Sequence, residues 1–226
     1  FSASMSVGSL NGTNGFSIPG INGTDEIMGA VAPGGDLNGD GVDDLLIGSP
    51  HNIFGGSQGV GGGYVIHGNA GGFPATFDLA TINGINGTHF TSAAGDGAGF
   101  SISNVGDVNT DGLDDVMLGA PFGHGGIGGA FLLYGQNGGF GTSIDLTTIT
   151  AANGILFHGS TGFDGLRSGP VGDFNNDGKG DIFMSDLNAR DDTGRVYIFY
   201  GFSASPCAEA TCEAPTASCQ DATVEL

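Results

Sequence analysis

The feature that most limits what this chain can become is a short acidic stretch that occurs three times. "GDLNGDGVDDLLIG" at residues 35–48 returns as "GDVNTDGLDDVMLG" from Gly106 and as "GDFNNDGKGDIFMS" from Gly172. The shared pattern is D-x-N-x-D-G-x-x-D running into an apolar segment, and repetition at this spacing is the mark of a repeat architecture. The similarity extends beyond the loops. "FSASMSVGSL" from Phe1, "FPATFDLATI" from Phe73 and "FGTSIDLTTI" from Phe140 align without a gap, followed at matching offsets by Asn14-Gly15, Asn86-Gly87 and Asn153-Gly154. After each loop come an apolar run, a Gly-rich connection and a second apolar run, "GGYVIHG", "GGAFLLYG" and "GRVYIFYG". Residues 1–201 therefore divide into three repeats, 1–72, 73–139 and 140–201, and residues 202–226 form a Cys-containing linker or disordered tail. The tail opens on "FSAS" at Phe202, which repeats the "FSAS" at Phe1.

Within a repeat the strand candidates are short. In the middle copy they are "TFDLA", "FSISNV", "DVMLGA" and "AFLLY", separated by Gly, Asn and Asp. No helical period emerges. Four short strands in each unit imply an all-β chain built of β-propeller-type blades, with a solenoid as the alternative. Closed propellers have about four to eight blades, so three repeats require either further repeats or self-association to complete the structure.

The chemistry of the loop is that of a hard cation. Ca²⁺ takes six to eight oxygen ligands, and Asp, Asn and Asp at positions 1, 3 and 5 supply oxygens if the backbone coils around one point. Glycine at position 6 (Gly41, Gly112, Gly178) permits that coil through a positive φ. Position 7 offers its carbonyl, and the Lys179 amine is expected to point away. An EF-hand needs a bidentate Glu at position 12. Ile47, Leu118 and Met184 stand there, which excludes the EF-hand and disfavours its dockerin variant. The competing reading, an acidic turn that binds nothing, must explain three carboxylates held together with no counter-charge, three times over.

Composition narrows the function. A formal charge of −20 opposes nucleic-acid binding and anionic membrane surfaces, and no run approaches the length of a membrane helix. Eleven of the 24 acidic residues fall in the three loops, which points to bound cations. Cys207, Cys212 and Cys219 all lie in the tail, so no disulfide staples the repeats and the odd number leaves one thiol over. The absence of an initiator Met and of a signal peptide reads as a mature or excised segment.

The residues resemble a known family, the FG-GAP repeats of the integrin α-chain β-propeller. The middle copy has both signature elements, Gly99-Phe100 and "GAP" at Gly119–Pro121. The first has "GSP" at Gly48–Pro50 with Gly29 in the place of the Phe, and the third has Leu166 for that Phe and "SDL" for "GAP". The resemblance implies three Ca²⁺ sites on blade hairpins. Their ligands would be Asp36, Asn38, Asp40, Val42 and Asp44; Asp107, Asn109, Asp111, Leu113 and Asp115; and Asp173, Asn175, Asp177, Lys179 and Asp181. It also implies a secreted or cell-surface module for adhesion or extracellular assembly, with an extracellular protein or glycan ligand.

Two other classes stand beside it. A lectin-like binder would use aromatic platforms, yet Trp is absent, and Tyr64, Tyr134, Tyr197 and Tyr200 lie in strand runs as core or blade-edge residues. An enzyme, or the non-catalytic accessory domain of one, is the third. His51, His67, His89, His124 and His158 show no metal-ligand spacing, and no nucleophile elbow or phosphate loop occurs. The near-equivalence of His89 and His158 suggests packing, and catalysis is not expected. Asn-Gly-Thr at Asn11, Asn22 and Asn86 gives candidate glycosylation sites.

Overall fold

The computed structural model describes residues 4–21, 30–50, 60–159, 164–186 and 194–203. Gly29, His51, Asn22 and the three cysteines lie outside them. The described residues are almost entirely β, in three sheets. The first is assembled from β1 (Val31–Gly35), β2 (Asp44–Ser49), β3 (Val60–Ile66) and β4 (Gly87–Ala94) in that order. The second takes β5 (Ser101–Gly106), β6 (Asp115–Gly119), β7 (Gly129–Leu133) and β9 (Gly154–His158), and the third β10 (Asp164–Gly172), β11 (Asp181–Asp186) and β12 (Arg195–Phe199). A short β8 (Ser143–Asp145) adds to β4 in parallel; every other pairing between strands is antiparallel. One short helix, α1 (Gly123–Gly126), joins β6 to β7. No helix of the described residues is long and apolar enough to cross a membrane.

Each acidic loop joins the first two strands of a sheet, with Gly35 facing Asp44, Gly106 facing Asp115 and Gly172 facing Asp181 across a register shift. The hairpin expected from "LLIG" is therefore present three times. The apolar runs are continuous because a strand between two other sheets is buried on both faces. In β6, Val116 and Leu118 face the first sheet while Met117 faces the third; in β7, Phe131 and Leu133 alternate with Ala130 and Leu132 in the same way.

One strand expectation is corrected. "TFDLA" forms a 3-10 turn at Leu79–Thr81, because Asp78 accepts a hydrogen bond from the Ala80 N–H and caps it. The same capped turn recurs at Val7–Ser9 under Ser6 and at Leu146–Thr148 under Asp145. The strand that completes the sheet begins later, at the Asn-Gly pair. It comes from the following repeat: β4 and β9 pair with β3 and β7 from Gly87 and Gly154. Sheets and sequence repeats are thus offset by one strand. With Gly87 and Gly154 equivalent, His89 matches Leu156, not His158. His89 stacks on Tyr64 with ring centroids 4.5 Å apart.

Candidate metal centres

The three loops share one internal hydrogen-bond pattern. The position-1 carboxylate accepts two backbone N–H groups, Asp40 and Gly41 on Asp36, Asp111 and Gly112 on Asp107, Asp177 and Gly178 on Asp173, at 2.8–3.1 Å. The position-3 amide oxygen accepts the position-5 N–H, and the position-5 carboxylate accepts the position-7 N–H. Such a nest of short side chains bonding backbone two to five residues on replaces the ladder at a turn. Gly41, Gly112 and Gly178 have φ of 84°, 92° and 88°, as a coil of this kind requires. Position 4 is also left-handed: Gly39 at 76°, Thr110 at 63° and Asn176 at 59°.

Position 9 is where the loop meets the sheet. Asp44 Oδ2 accepts the Leu37 N–H at 3.1 Å and its Oδ1 the Gly68 N–H at 2.9 Å. Asp115 does the same with Val108 and Gly135 at 3.0 and 2.9 Å, and Asp181 with Phe174 and Gly201 at 2.7 and 2.8 Å. All three carboxylates are buried. Each one ties the start of its loop to the glycine two residues past the third strand of its sheet. Burial pushes Asp115 up to about 7; its two N–H partners oppose the shift, and the charges of Asp111 and Asp107 add to it. Asp44 is likewise raised by burial. Tyr134, which precedes Gly135, is pushed up to about 12 by burial and by the Asp115 and Asp111 charges. Among the described ion pairs none brings a basic group to a position-9 carboxylate.

Lys179 does not point away as the sequence suggested. Its Nζ lies 3.1 Å from Asp177 Oδ2 and holds that carboxyl below its usual range. A flexible ammonium beside an exposed carboxylate finds its nearest counter-charge, and Asp177 is two residues back.

Two parts of the site are invisible in the loop pattern. One is the glycine that ends "YVIHG", "FLLYG" and "YIFYG". A Cβ on Gly68, Gly135 or Gly201 would lie 2.4–2.5 Å from the position-8 carbonyl oxygen of its own loop, so only glycine lets the N–H reach the buried aspartate. The shared final Gly was the available signal. The other is a brace between loops. Asp114 Oδ2 accepts the Asp36 N–H at 3.2 Å and the Asn104 Nδ2 at 3.0 Å, a contact across 78 positions that no local pattern reveals.

The donor set of each loop consists of carboxylate, amide and carbonyl oxygens, the ligands a hard divalent cation takes. In the first two loops each accepting side-chain oxygen keeps a second lone pair, whereas in the third Asp181 Oδ2 accepts both the Phe174 and Asn175 N–H groups and Asp177 Oδ2 both the Asn175 amide and the Lys179 ammonium. The loops nonetheless do not draw three acidic, His or Cys side chains into one metal cluster among the described residues; the coil is held by its own N–H groups. The fit is thus one of chemistry and charge. Among the histidines with described side chains, His67 lies beside a loop. Its Nδ1 lies 3.0 Å from the Ile85 carbonyl oxygen, and its Nε2 is buried without a partner.

Sequence comparison places these loops in context. Residues 29–66 match the FG-GAP repeat model. Integrin alpha-PS5 of Drosophila melanogaster is 36% identical over 114 residues, covering 50% of this chain and 10% of that protein. Integrin alpha-3 of Mus musculus is 38% identical over 106 residues (46% and 9%), and integrin alpha-6 of Gallus gallus 33% over 107 (47% and 9%). The chain spans a tenth or less of the length of these curated relatives. Residues 29–66 thus carry an FG-GAP repeat, and about half of the chain is similar in sequence to integrin α chains.

Proposed function

We propose that this chain is a calcium-binding repeat module of the extracellular space or cell surface, serving adhesion or structural assembly and carrying no catalysis of its own. It comprises three FG-GAP-like repeats, residues 1–72, 73–139 and 140–201, with 202–226 as a tail. The observation that carries the reading is the threefold recurrence of an all-oxygen loop closed by a buried aspartate that accepts two backbone N–H groups. Asp36, Asn38, Asp40, the Val42 carbonyl and Asp44 would hold the first ion. Asp107, Asn109, Asp111, Leu113 and Asp115 would hold the second, and Asp173, Asn175, Asp177, Lys179 and Asp181 the third, again with the position-7 carbonyl. A bound Ca²⁺ would add positive charge to loops rich in carboxylates. The third loop is the weakest site, because Lys179 already neutralises Asp177.

Extracellular modules bind Ca²⁺ at about 10⁻⁴–10⁻³ M. At ~1 mM free Ca²⁺ and a Kd near 0.1 mM, each site stabilises the folded chain by ~1.4 kcal/mol, a large share of a marginal stability once three are filled. Calorimetric titration is expected to show calcium uptake, and excess EGTA to lower the melting temperature. A melt that EGTA leaves unchanged refutes the structural role.

Carbohydrate binding is the second reading. A cleft of about 580 Å³ lined by His67, Phe73, Phe77, Thr81 and Asn86 among others is a candidate locus for it. A glycan array separates the two, since calcium-dependent stability without glycan retention leaves the first reading alone.

A further inference from the structure

The three loops are joined to one another through the peptide groups that hold their position-9 aspartates. Leu37 and Val108, at position 2 of the first and second loops, give their N–H groups to Asp44 and Asp115. Both residues are buried, at 0% and 2% exposure, and a buried carbonyl needs a partner of its own. It comes from the next sheet. The Gln136 N–H bonds the Leu37 carbonyl oxygen at 3.1 Å, and the Phe202 N–H bonds the Val108 carbonyl oxygen at 2.9 Å. Gln136 and Phe202 directly follow Gly135 and Gly201, whose own N–H groups bond Asp115 and Asp181. One line of contacts therefore runs from Asp44 through Leu37 and residues 135–136 to Asp115, and on through Val108 and residues 201–202 to Asp181.

Between the first two loops this line is reinforced. The Gly138 N–H bonds the Asn38 carbonyl oxygen at 2.8 Å, and Asp114 Oδ2 accepts the Asp36 N–H. The loops also touch directly: a Cβ on Gly39 would lie 2.7 Å from Asn137 Oδ1 and 3.3 Å from Leu113 Cδ2. Between the second and third loops the place of Asp114 is taken by Gly180. That residue lies against the second loop in the same way, where an added Cβ would meet the Val105 carbonyl oxygen at 3.1 Å and Val108 Cγ1 at 3.7 Å. It has no carboxylate to offer.

We propose that the loops take up divalent cations cooperatively, each filled loop raising the affinity of its neighbour through residues 135–138 and 201–202, with the first and second loops coupled more strongly than the second and third. The physical cause is shared ordering. Once the first loop is held rigid, the Leu37 and Asn38 carbonyls are fixed, and residues 135–138 with them. Gly135 is then already in place on Asp115, so the second loop gives up less conformational freedom when it binds. Linkage makes the effect equal in both directions, and coupling of this kind changes affinity by about 5–150-fold. The inference rests on the cation reading of the loops, but the contacts that carry it are the chain's own.

The test uses the full chain, with loops switched off by Asp40→Ala, Asp111→Ala or Asp177→Ala, each at an exposed position-5 carboxylate. Calcium is titrated by calorimetry into the single variants, which keep two loops, and the double variants, which keep one. In Asp177→Ala, where the first two loops remain, the second ion should bind at least about fivefold tighter than either loop binds alone. The gain should be smaller in Asp40→Ala and absent in Asp111→Ala, which lacks the middle loop. Gln136→Pro deletes the relaying N–H and should reduce the gain between the first two loops, while Gln136→Ala keeps it. Equal affinities in one-loop and two-loop proteins overturn the inference. So does a gain in Asp111→Ala as large as in Asp177→Ala, which would mark general stabilisation, and a larger gain in Asp40→Ala refutes the ranking. Hydrogen exchange in excess EGTA separates this inference from the calcium reading and also decides should Gln136→Pro fail to fold. Asp36→Ala removes the acceptor of the Asp40 and Gly41 N–H groups and loosens the first loop, with Asp40→Ala as the milder alternative. Exchange should quicken about tenfold at Gln136 and Gly138 and also at Gly135, whose N–H bonds the second loop. Residues 182–185 of β11 should keep their rates. Unaltered exchange at Gly135 overturns the relay whatever calcium does, as does a rise that includes 182–185. No calcium uptake by any variant sinks the calcium reading, and the exchange result alone then decides whether the loops are coupled.

Discussion

Gly135→Ala probes the contact that joins loop to sheet. An added Cβ would lie 2.4 Å from the Asp114 carbonyl oxygen and 2.7 Å from the Leu113 Cβ, distances at which something must move. The neighbours that must yield are backbone and a short stem, so the 2.9 Å bond from the Gly135 N–H to Asp115 lengthens or breaks. Overpacking of this kind costs about 1–3 kcal/mol. Replacing Gly by Ala recovers about 0.4–1 kcal/mol by stiffening the unfolded chain, so the clash dominates with a net loss of about 1.3 kcal/mol. For a domain of this size that lowers the melting temperature by roughly 3–5 °C. Gly68→Ala and Gly201→Ala meet the Asp43 and Gly180 carbonyl oxygens at 2.4 and 2.5 Å and should lose comparable stability. Gly8→Ala, whose added Cβ would lie 3.6 Å from the Ser6 hydroxyl, is the control and should keep stability or raise it by about 0.4–1 kcal/mol. The assay is thermal unfolding by circular dichroism at fixed calcium. If Gly135→Ala melts with the parent protein, the tie between the third strand and the buried aspartate is not under steric demand, and the role given to these glycines is wrong.

Thr110→Gly should leave stability unchanged or raise it by up to about 1 kcal/mol. A β-branched residue in the left-handed region costs about 1–2 kcal/mol, and the entropy of an added glycine offsets about half of that; a clear loss in denaturant titration refutes it. Asp114→Ala removes the acceptor shared by Asp36 and Asn104 and should cost about 1 kcal/mol while weakening calcium uptake at the first loop. Unaltered affinity there would show that the loops are independent. In chelated protein, Asp115 makes stability depend on pH. Its folded-state value, about 7, lies above the unfolded one near 4. Its contribution is therefore complete below about pH 4, is lost between about 4 and 7, and stays lost above, for a ceiling of ~4 kcal/mol. Asp115→Asn should flatten this part of the profile, and calcium should counteract it; equal slopes for parent and variant would assign the dependence to the general acidity of the chain.

The loops, their threefold spacing and the hairpins they close were legible in the sequence, because side-chain chemistry and turn geometry are local there. The outer strand was not. "GTHFTSAA" lacks an apolar run; Thr88 is buried through its hydroxyl bond to the Gly141 carbonyl, and Thr91 bonds Ile144 likewise. "TFDLA" is the more apolar segment, yet Asp78 caps it into a turn. The backbone partners of the position-9 aspartates escaped for a different reason. Gly68, Gly135 and Gly201 lie far along the chain from the loops they secure, and their role depends on how closely two backbones approach.

The one-strand offset between repeat and sheet also bears on how such an array can gain or lose units. Excision of residues 73–139 would take β4 from the first sheet together with β5, β6 and β7 of the second. It would bring β3 up against β9, whose Gly154 holds the register that Gly87 held before it. A four-stranded sheet is restored across the cut. Each repeat carries the lock for the sheet before it and the key for the one after, so whole units are interchangeable parts, while any cut out of phase with them leaves a sheet unfinished.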